Sequence, residues 1–168
     1  MKEERQKKRM LRVLAAVYLA ALVWIILFKM ALSPEQLPRL RNVNLIPFGD
    51  ALVVNGKADY GEVFQNLLIF VPFGVYLQML FPRLAFWKKA ALAAGASLIL
   101  EILQFILAVG ASDITDLLAN TLGAIAGVAG YLLLEKLLGK RTGTVVTVLA
   151  SVATIGMCGL IVLLFAAN

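Results

Sequence analysis

Histidine is missing from this 168-residue sequence, and cysteine occurs once, at Cys158. The first absence excludes a histidine-ligated metal and a histidine general base. The second excludes an intrachain disulfide and a thiolate metal cluster. Cys158 lies in an apolar run and reads as a small residue facing lipid or another helix. Charge is also scarce: Asp, Glu, Lys and Arg make up 15% of the chain, against about 25% in an ordinary soluble domain. No internal repeat and no low-complexity segment is visible.

What is abundant is apolar. Hydrophobic residues reach 61%, above the roughly 45–50% of globular chains. They are grouped in runs of about 20 residues, the length needed to cross a bilayer as helix. The expected fold class is all-α: a polytopic membrane helix bundle forming one domain over residues 13–166, behind a basic cytoplasmic tail at 1–12. Five transmembrane helices are expected at about 13–32, 63–81, 90–109, 114–134 and 144–166. The first run resembles a signal peptide, but it is long for one and has no small-x-small cleavage site before Ser33-Pro34, so it reads as an uncleaved span. Lys29 near its end can snorkel to the interface. Pro72 and Gly74 sit inside the second span, where a proline is expected to kink the helix.

The segment 33–62 is rich in turn residues, with Pro34, Pro38, Pro47, Gly49, Gly56 and Gly61. Two short apolar pieces, Val43–Phe48 and Ala51–Val54, cannot span and read as outer interfacial segments. Gly110-Ala111-Ser112 reads as a tight turn between the third and fourth spans.

Net charge is +6, and its placement explains it. Twelve of the sixteen Lys and Arg lie in the tail, in the 82–89 turn and in the 135–143 loop; Lys29, Arg39, Arg41 and Lys57 lie on the other side. Positive charge marks the cytoplasmic face, so the N-terminus is expected inside and the C-terminus outside. The lipid bilayer is the expected partner, and the basic balance is no nucleic-acid footprint.

The fourth run carries a seam. Asp113, Asp116, Asn120, Gly123, Gly127 and Gly130 follow at steps of three or four and so share one helix face. The glycines suit close helix packing. A helix-start role, favoured by the backbone dipole, is the plain alternative for Asp113 and Asp116. The third run has a matching stripe, Ala94, Ser97, Glu101, Gln104 and Ala108. With Asn66 of the second run, the polar members fall in one outer layer. A charged group at membrane depth costs about 2.5–3.5 kcal/mol on insertion scales, which favours a shared cavity. The inner half of the bundle shows no comparable set, and the spans hold no evident buried cation. Candidate partners for the carboxylates are Arg39, Arg41, a bound cation or a cationic ligand. Hydrogen-bonded glue between helices, with no ligand, is the competing reading.

Asn44-Leu-Ile-Pro47-Phe48, Asn66-Leu-Leu-Ile-Phe-Val-Pro72-Phe-Gly74, Glu101-x-x-Gln104 and Asp113-Ile-Thr-Asp116-Leu-Leu-Ala-Asn120-Thr-Leu-Gly123 together resemble the VanZ-like family of bacterial membrane proteins, over about residues 40–131. The resemblance implies a place in the plasma membrane of the cell envelope and a link to low-level resistance to teicoplanin and related lipoglycopeptides. It also points to Asn66, Glu101, Gln104, Asp113, Asp116 and Asn120 as the site positions, with Asn44, Pro47 and Phe48 as an interfacial motif. Members often carry an arginine in the turn before the first Asp of the fourth span; Val109–Ser112 has none.

Three functions compete. The first is a non-enzymatic envelope protein whose outward pocket engages a lipid headgroup, a lipid-linked wall precursor or the antibiotic. The second is an intramembrane enzyme using Glu101 with Asp113 or Asp116 as acid and base, with or without Mg²⁺ on the Asp pair. Ser112 and Thr115 lie nearby, but no base is visible to activate them. The third is a small transporter with a carboxylate proton relay. No cofactor and no resident metal are expected.

Overall fold

The computed structural model describes residues 2–29, 35, 37, 40–48, 53–54, 57–58 and 60–167. Residues 30–34, Pro38, Arg39, Gly49, Ala51, Leu52 and Gly56 lie outside the described residues. The end of the first expected span, one candidate counter-ion and several of the segment's turn residues fall there.

Five long helices are present among the described residues: α1 Lys2–Phe28, α2 Gly61–Leu80, α3 Phe86–Leu107, α4 Ile114–Leu138 and α5 Thr142–Ala167. A 3₁₀ turn at Gly139–Arg141 joins the last two. Four stretches are long and apolar enough to cross a membrane: Glu4–Phe28, Gly61–Leu80, Phe86–Leu107 and Ile114–Leu163, the last running through both α4 and α5. Large apolar side chains are exposed on every helix, Leu98, Ile102 and Ile106 on α3 and Val152 and Ile155 on α5 among them. Water would not tolerate so continuous an apolar exterior; acyl chains do.

The boundaries differ from expectation in instructive ways. The basic stretch expected as a separate tail is helical from Lys2 and continuous with α1, because Lys, Arg, Gln and Glu are good helix formers. α1 ends at Phe28, and Lys29 adopts a left-handed φ of 45°. α3 begins at Phe86, so Lys88 and Lys89 belong to its first turn. Pro72 lies inside α2 without ending it.

The joint between α3 and α4 is no bare turn. Ala108 closes α3 with a left-handed φ of 54°, and Val109–Asp113 form a strand, β4. It pairs in parallel with β1, Leu40–Asn44, from Leu40 opposite Val109 to Asn44 opposite Asp113. Two further short strands, β2 Val53–Val54 and β3 Lys57–Ala58, pair antiparallel with each other. Part of the expected interfacial segment is therefore a strand fastened to the start of α4.

α2 and α4 form the most intimate pair in the bundle. A Cβ built on Gly74 would fall on the Ala124 carbonyl. One on Gly123 would fall on that of Leu67, and one on Gly127 on that of Val71. Residues 67 and 71 of α2 thus meet 123 and 127 of α4 in the same order, so the two helices run parallel with backbones in contact. Gly130, expected in the same seam, faces open space. Leu22, Ile26, Leu27, Phe70, Ala93, Leu100 and Ala124 make the main apolar core.

The other end of the bundle corrects a second expectation. Gln78 and Lys89 are both buried there, and the Lys89 ammonium donates to Gln78 Oε1. The half of the bundle away from the Asn66–Glu101 layer does hold a buried polar pair. Gln78 stands alone in an apolar run, and Lys89 looks in sequence like one more basic turn residue.

Candidate functional site

Four helix ends meet in one polar layer. α1 supplies Ile25, Ile26 and the following Lys29, and α2 supplies Glu62, Gln65, Asn66 and Ile69 from its first three turns. α3 supplies Glu101 and Gln104, and α4 supplies Asp116 and Asn120. These residues line one cavity of about 190 Å³. Spacing puts them there: 62, 65, 66 and 69 share one face of α2, as 101 and 104 do on α3 and 116 and 120 on α4. Lys29 and Glu62 stand at the mouth, with Nζ 3.2 Å from Oε1 and side chains 47% and 62% exposed. An exposed pair of this kind contributes little stability, but it sets one cation beside the entrance.

The interior is different. Asn66, Glu101, Gln104 and Asn120 are 8%, 5%, 4% and 0% exposed, so each is more than nine-tenths buried. Gln104 donates from Nε2 to the Ile26 carbonyl at 2.9 Å, which lies in the last turn of α1. Asn120 donates from Nδ2 to Ser97 Oγ at 2.9 Å. Asn66 and Asp116 face the same cavity from α2 and α4. Glu101 Oε2 accepts the backbone N–H of Asp113 at 3.0 Å, and Ser112 Oγ donates to the Glu101 carbonyl at 2.7 Å.

Three buried oxygens are left over among the described residues. Glu101 Oε1, Gln104 Oε1 and Asn120 Oδ1 have no hydrogen-bond partner. A buried acceptor without a partner costs about 1–3 kcal/mol, and all three belong to residues that line this cavity. The Gln104 amide is fixed in orientation, because a backbone carbonyl accepts only from its nitrogen.

Asp113 does not line this cavity. Its Oδ1 accepts the Thr115 N–H at 2.7 Å as the N-cap of α4. Its Oδ2 accepts from Asn44 Nδ2 at 3.0 Å. Both oxygens serve the strand–helix joint. The interfacial motif is tied to the same joint: Phe48 N donates to Thr115 Oγ1 at 3.1 Å, and Ile46 N to Asn44 Oδ1 at 3.1 Å. Leu45, Ile46, Pro47 and Phe48 project outward and exposed. On the far side of Glu101 lies an apolar groove of about 270 Å³, walled by Val43, Leu45, Leu98, Ile102, Phe105 and Leu117. Glu101 borders both spaces.

Arg41, a candidate partner for the carboxylates, is engaged elsewhere. It donates from Nε and Nη2 to the Phe105 and Ile106 carbonyls at 3.1 and 3.2 Å and lies over the Phe105 ring. It thereby satisfies the last turn of α3, whose carbonyls have no helical partner. The cation at the cavity is Lys29 instead. No three acidic or cysteine side chains gather closely enough to ligate a metal among the described residues.

The sequence pattern of VanZ/LLP1 proteins matches residues 15–135. The chain belongs to the VanZ/LLP1 family. Protein VanZ of Enterococcus faecium is 36% identical over 132 residues, covering 77% of this chain and 78% of that protein. No solved structure matches. The family match contains all the cavity residues, from Ile25 to Asn120, and leaves α5 outside. Family membership and the apolar helices together make this a bacterial membrane protein.

Within this VanZ-like chain, sequence reasoning missed Glu62, Gln65 and Ser97 as partners of the site, and it read Lys29 only as an interfacial anchor. Glu62 was within reach, since it precedes Asn66 by one helical turn. Ser97 stood in the α3 stripe without a named partner.

Proposed function

We propose that this VanZ-like protein is a non-enzymatic component of the bacterial cell envelope, crossing the plasma membrane five times with its N-terminus inside and its C-terminus outside. Its cavity opens outward and binds the headgroup of a membrane lipid or lipid-linked wall precursor. Occupancy there lowers the access of teicoplanin and related lipoglycopeptides to their target at the membrane surface. The observation that carries this reading is the set of three unpartnered, buried oxygens on residues that line one cavity. Its size supports a headgroup over the whole drug. Pockets for drug-sized ligands hold about 300–1,000 Å³, and 190 Å³ is below that range. The apolar groove sharing the Glu101 wall supports a ligand that carries an acyl chain. The engagement of both Asp113 oxygens weighs against an Asp-pair metal site or an acid–base pair built on that residue.

The test is drug susceptibility. A sensitive host expressing the wild-type chain is expected to tolerate more teicoplanin than one expressing Glu101→Gln or Asp116→Asn at equal membrane levels, with vancomycin as the comparison drug lacking a lipid tail. Equal susceptibility of all strains removes the resistance role.

A further inference from the structure

We infer that the cavity selects a primary ammonium carried on a phosphate-bearing headgroup. This inference rests on the headgroup reading above and goes further, because it names the chemistry recognised. The unpartnered interior atoms are all acceptors: Glu101 Oε1, Gln104 Oε1 and Asn120 Oδ1. A ligand that satisfies them must bring donors. A primary ammonium brings three N–H donors on one atom, matching the three acceptors in number.

Charge selects further. Three carboxyl groups, Glu62, Glu101 and Asp116, line the cavity against one lysine. A sugar hydroxyl or a water cluster also donates hydrogen bonds, but neither answers an acidic excess. A hydrogen bond to a charged group is about twice as strong as a neutral one, and more so where the walls exclude water.

Shape supplies the rest. Ile25, Ile26 and Ile69 offer apolar wall for a short carbon stem. Lys29 stands half-exposed at the mouth, where a phosphate following that stem would lie. Glu62 holds it there at 3.2 Å. The polarity of the cavity, acceptors inside and a cation at the rim, is the complement of an aminophospholipid headgroup. A volume of about 190 Å³ equals roughly six waters at about 30 Å³ each, enough for an aminoethyl group and part of its phosphate.

The test uses the purified full-length protein and four lipids with identical acyl chains: phosphatidylethanolamine, its N-monomethyl and N,N-dimethyl forms, and phosphatidylcholine. Across this series the headgroup keeps its charge while its N–H donors fall from three to none. Native mass spectrometry of the protein–lipid complexes, with free phosphoethanolamine as a soluble competitor, gives the relative affinities. Affinity is expected to fall stepwise, by about tenfold or more from first to last. The preference is expected to vanish in Glu101→Gln. Asp116→Asn, a change at the cavity wall, is the second variant should the first not fold.

Equal binding of phosphatidylethanolamine and phosphatidylcholine, both lost in the variants, overturns ammonium recognition and leaves the headgroup reading standing. Binding of free phosphoethanolamine with no binding of its lipid supports ammonium recognition and removes the lipid as its source. No binding of any of the five overturns both.

Discussion

Glu101 Oε2 accepts the backbone N–H of Asp113 at 3.0 Å, so one carboxylate of α3 holds the residue that caps α4. The other Glu101 oxygen, Oε1, is buried and without a hydrogen-bond partner. A single side chain therefore fixes the α3–α4 joint and also borders the cavity. Asp113 in turn receives Thr115 N and Asn44 Nδ2, which ties β1 to the same joint.

Asp113 is thus a stability residue, separable from the cavity. Asp113→Ala is expected to lower the thermal stability of the detergent-purified protein by about 1–3 kcal/mol, through loss of the cap and of the Asn44 bond. Asp113→Asn keeps an acceptor for the cap and is expected to cost less. A stable Asp113→Ala protein with selectively lost ligand binding would instead place this carboxylate in the site.

The glycine contacts give a graded series. Gly123→Ala and Gly127→Ala each push a methyl into a backbone carbonyl of α2, where no side chain can yield. Each is expected to cost about 1–3 kcal/mol or to abolish expression. Gly130→Ala meets open space and is expected to be neutral or to stabilise by up to about 1 kcal/mol, since alanine is the better helix former. Melting curves in one detergent check all three. Equal loss at Gly130 would contradict the parallel α2–α4 contact.

The buried pair at the opposite end predicts coupling. Lys89→Met leaves the Gln78 oxygen without its donor, a cost of about 1–3 kcal/mol. Gln78→Leu leaves a buried ammonium without its acceptor. The double variant removes both polar groups and is expected to be more stable than the sum of the single losses, with a coupling of about 0.5–3 kcal/mol in a double-mutant cycle. Strict additivity would show that the two side chains do not interact.

The helices are legible in the sequence because each is a long apolar run, and membrane length sets a period that short motifs do not disturb. The polar stripes of α3 and α4 are legible from spacing alone. Their closing geometry is not. β1 and β4 are about 70 residues apart in the chain, and Leu40–Asn44 has no alternation that marks a strand. Asp113 and Asp116 are alike in sequence, three residues apart on one face. Only the strand at Val109–Asp113 makes the first a cap and leaves the second in the cavity wall. Lys29 reads as an anchor because the sequence does not reveal that α1 ends at Phe28, with the lysine turned to Glu62. Lys89 reads as a surface charge because the earlier start of α3 is hidden by the basic turn residues before it.

The most direct measurement is a high-resolution experimental structure of the protein purified with its native lipids, read at the space between Asn66, Glu101 and Asp116. The expected result is density for a headgroup whose nitrogen lies within hydrogen-bond distance of Glu101 Oε1, Gln104 Oε1 and Asn120 Oδ1. Side chains closed onto one another, with those three oxygens satisfied inside the protein and no room for a ligand, would contradict it.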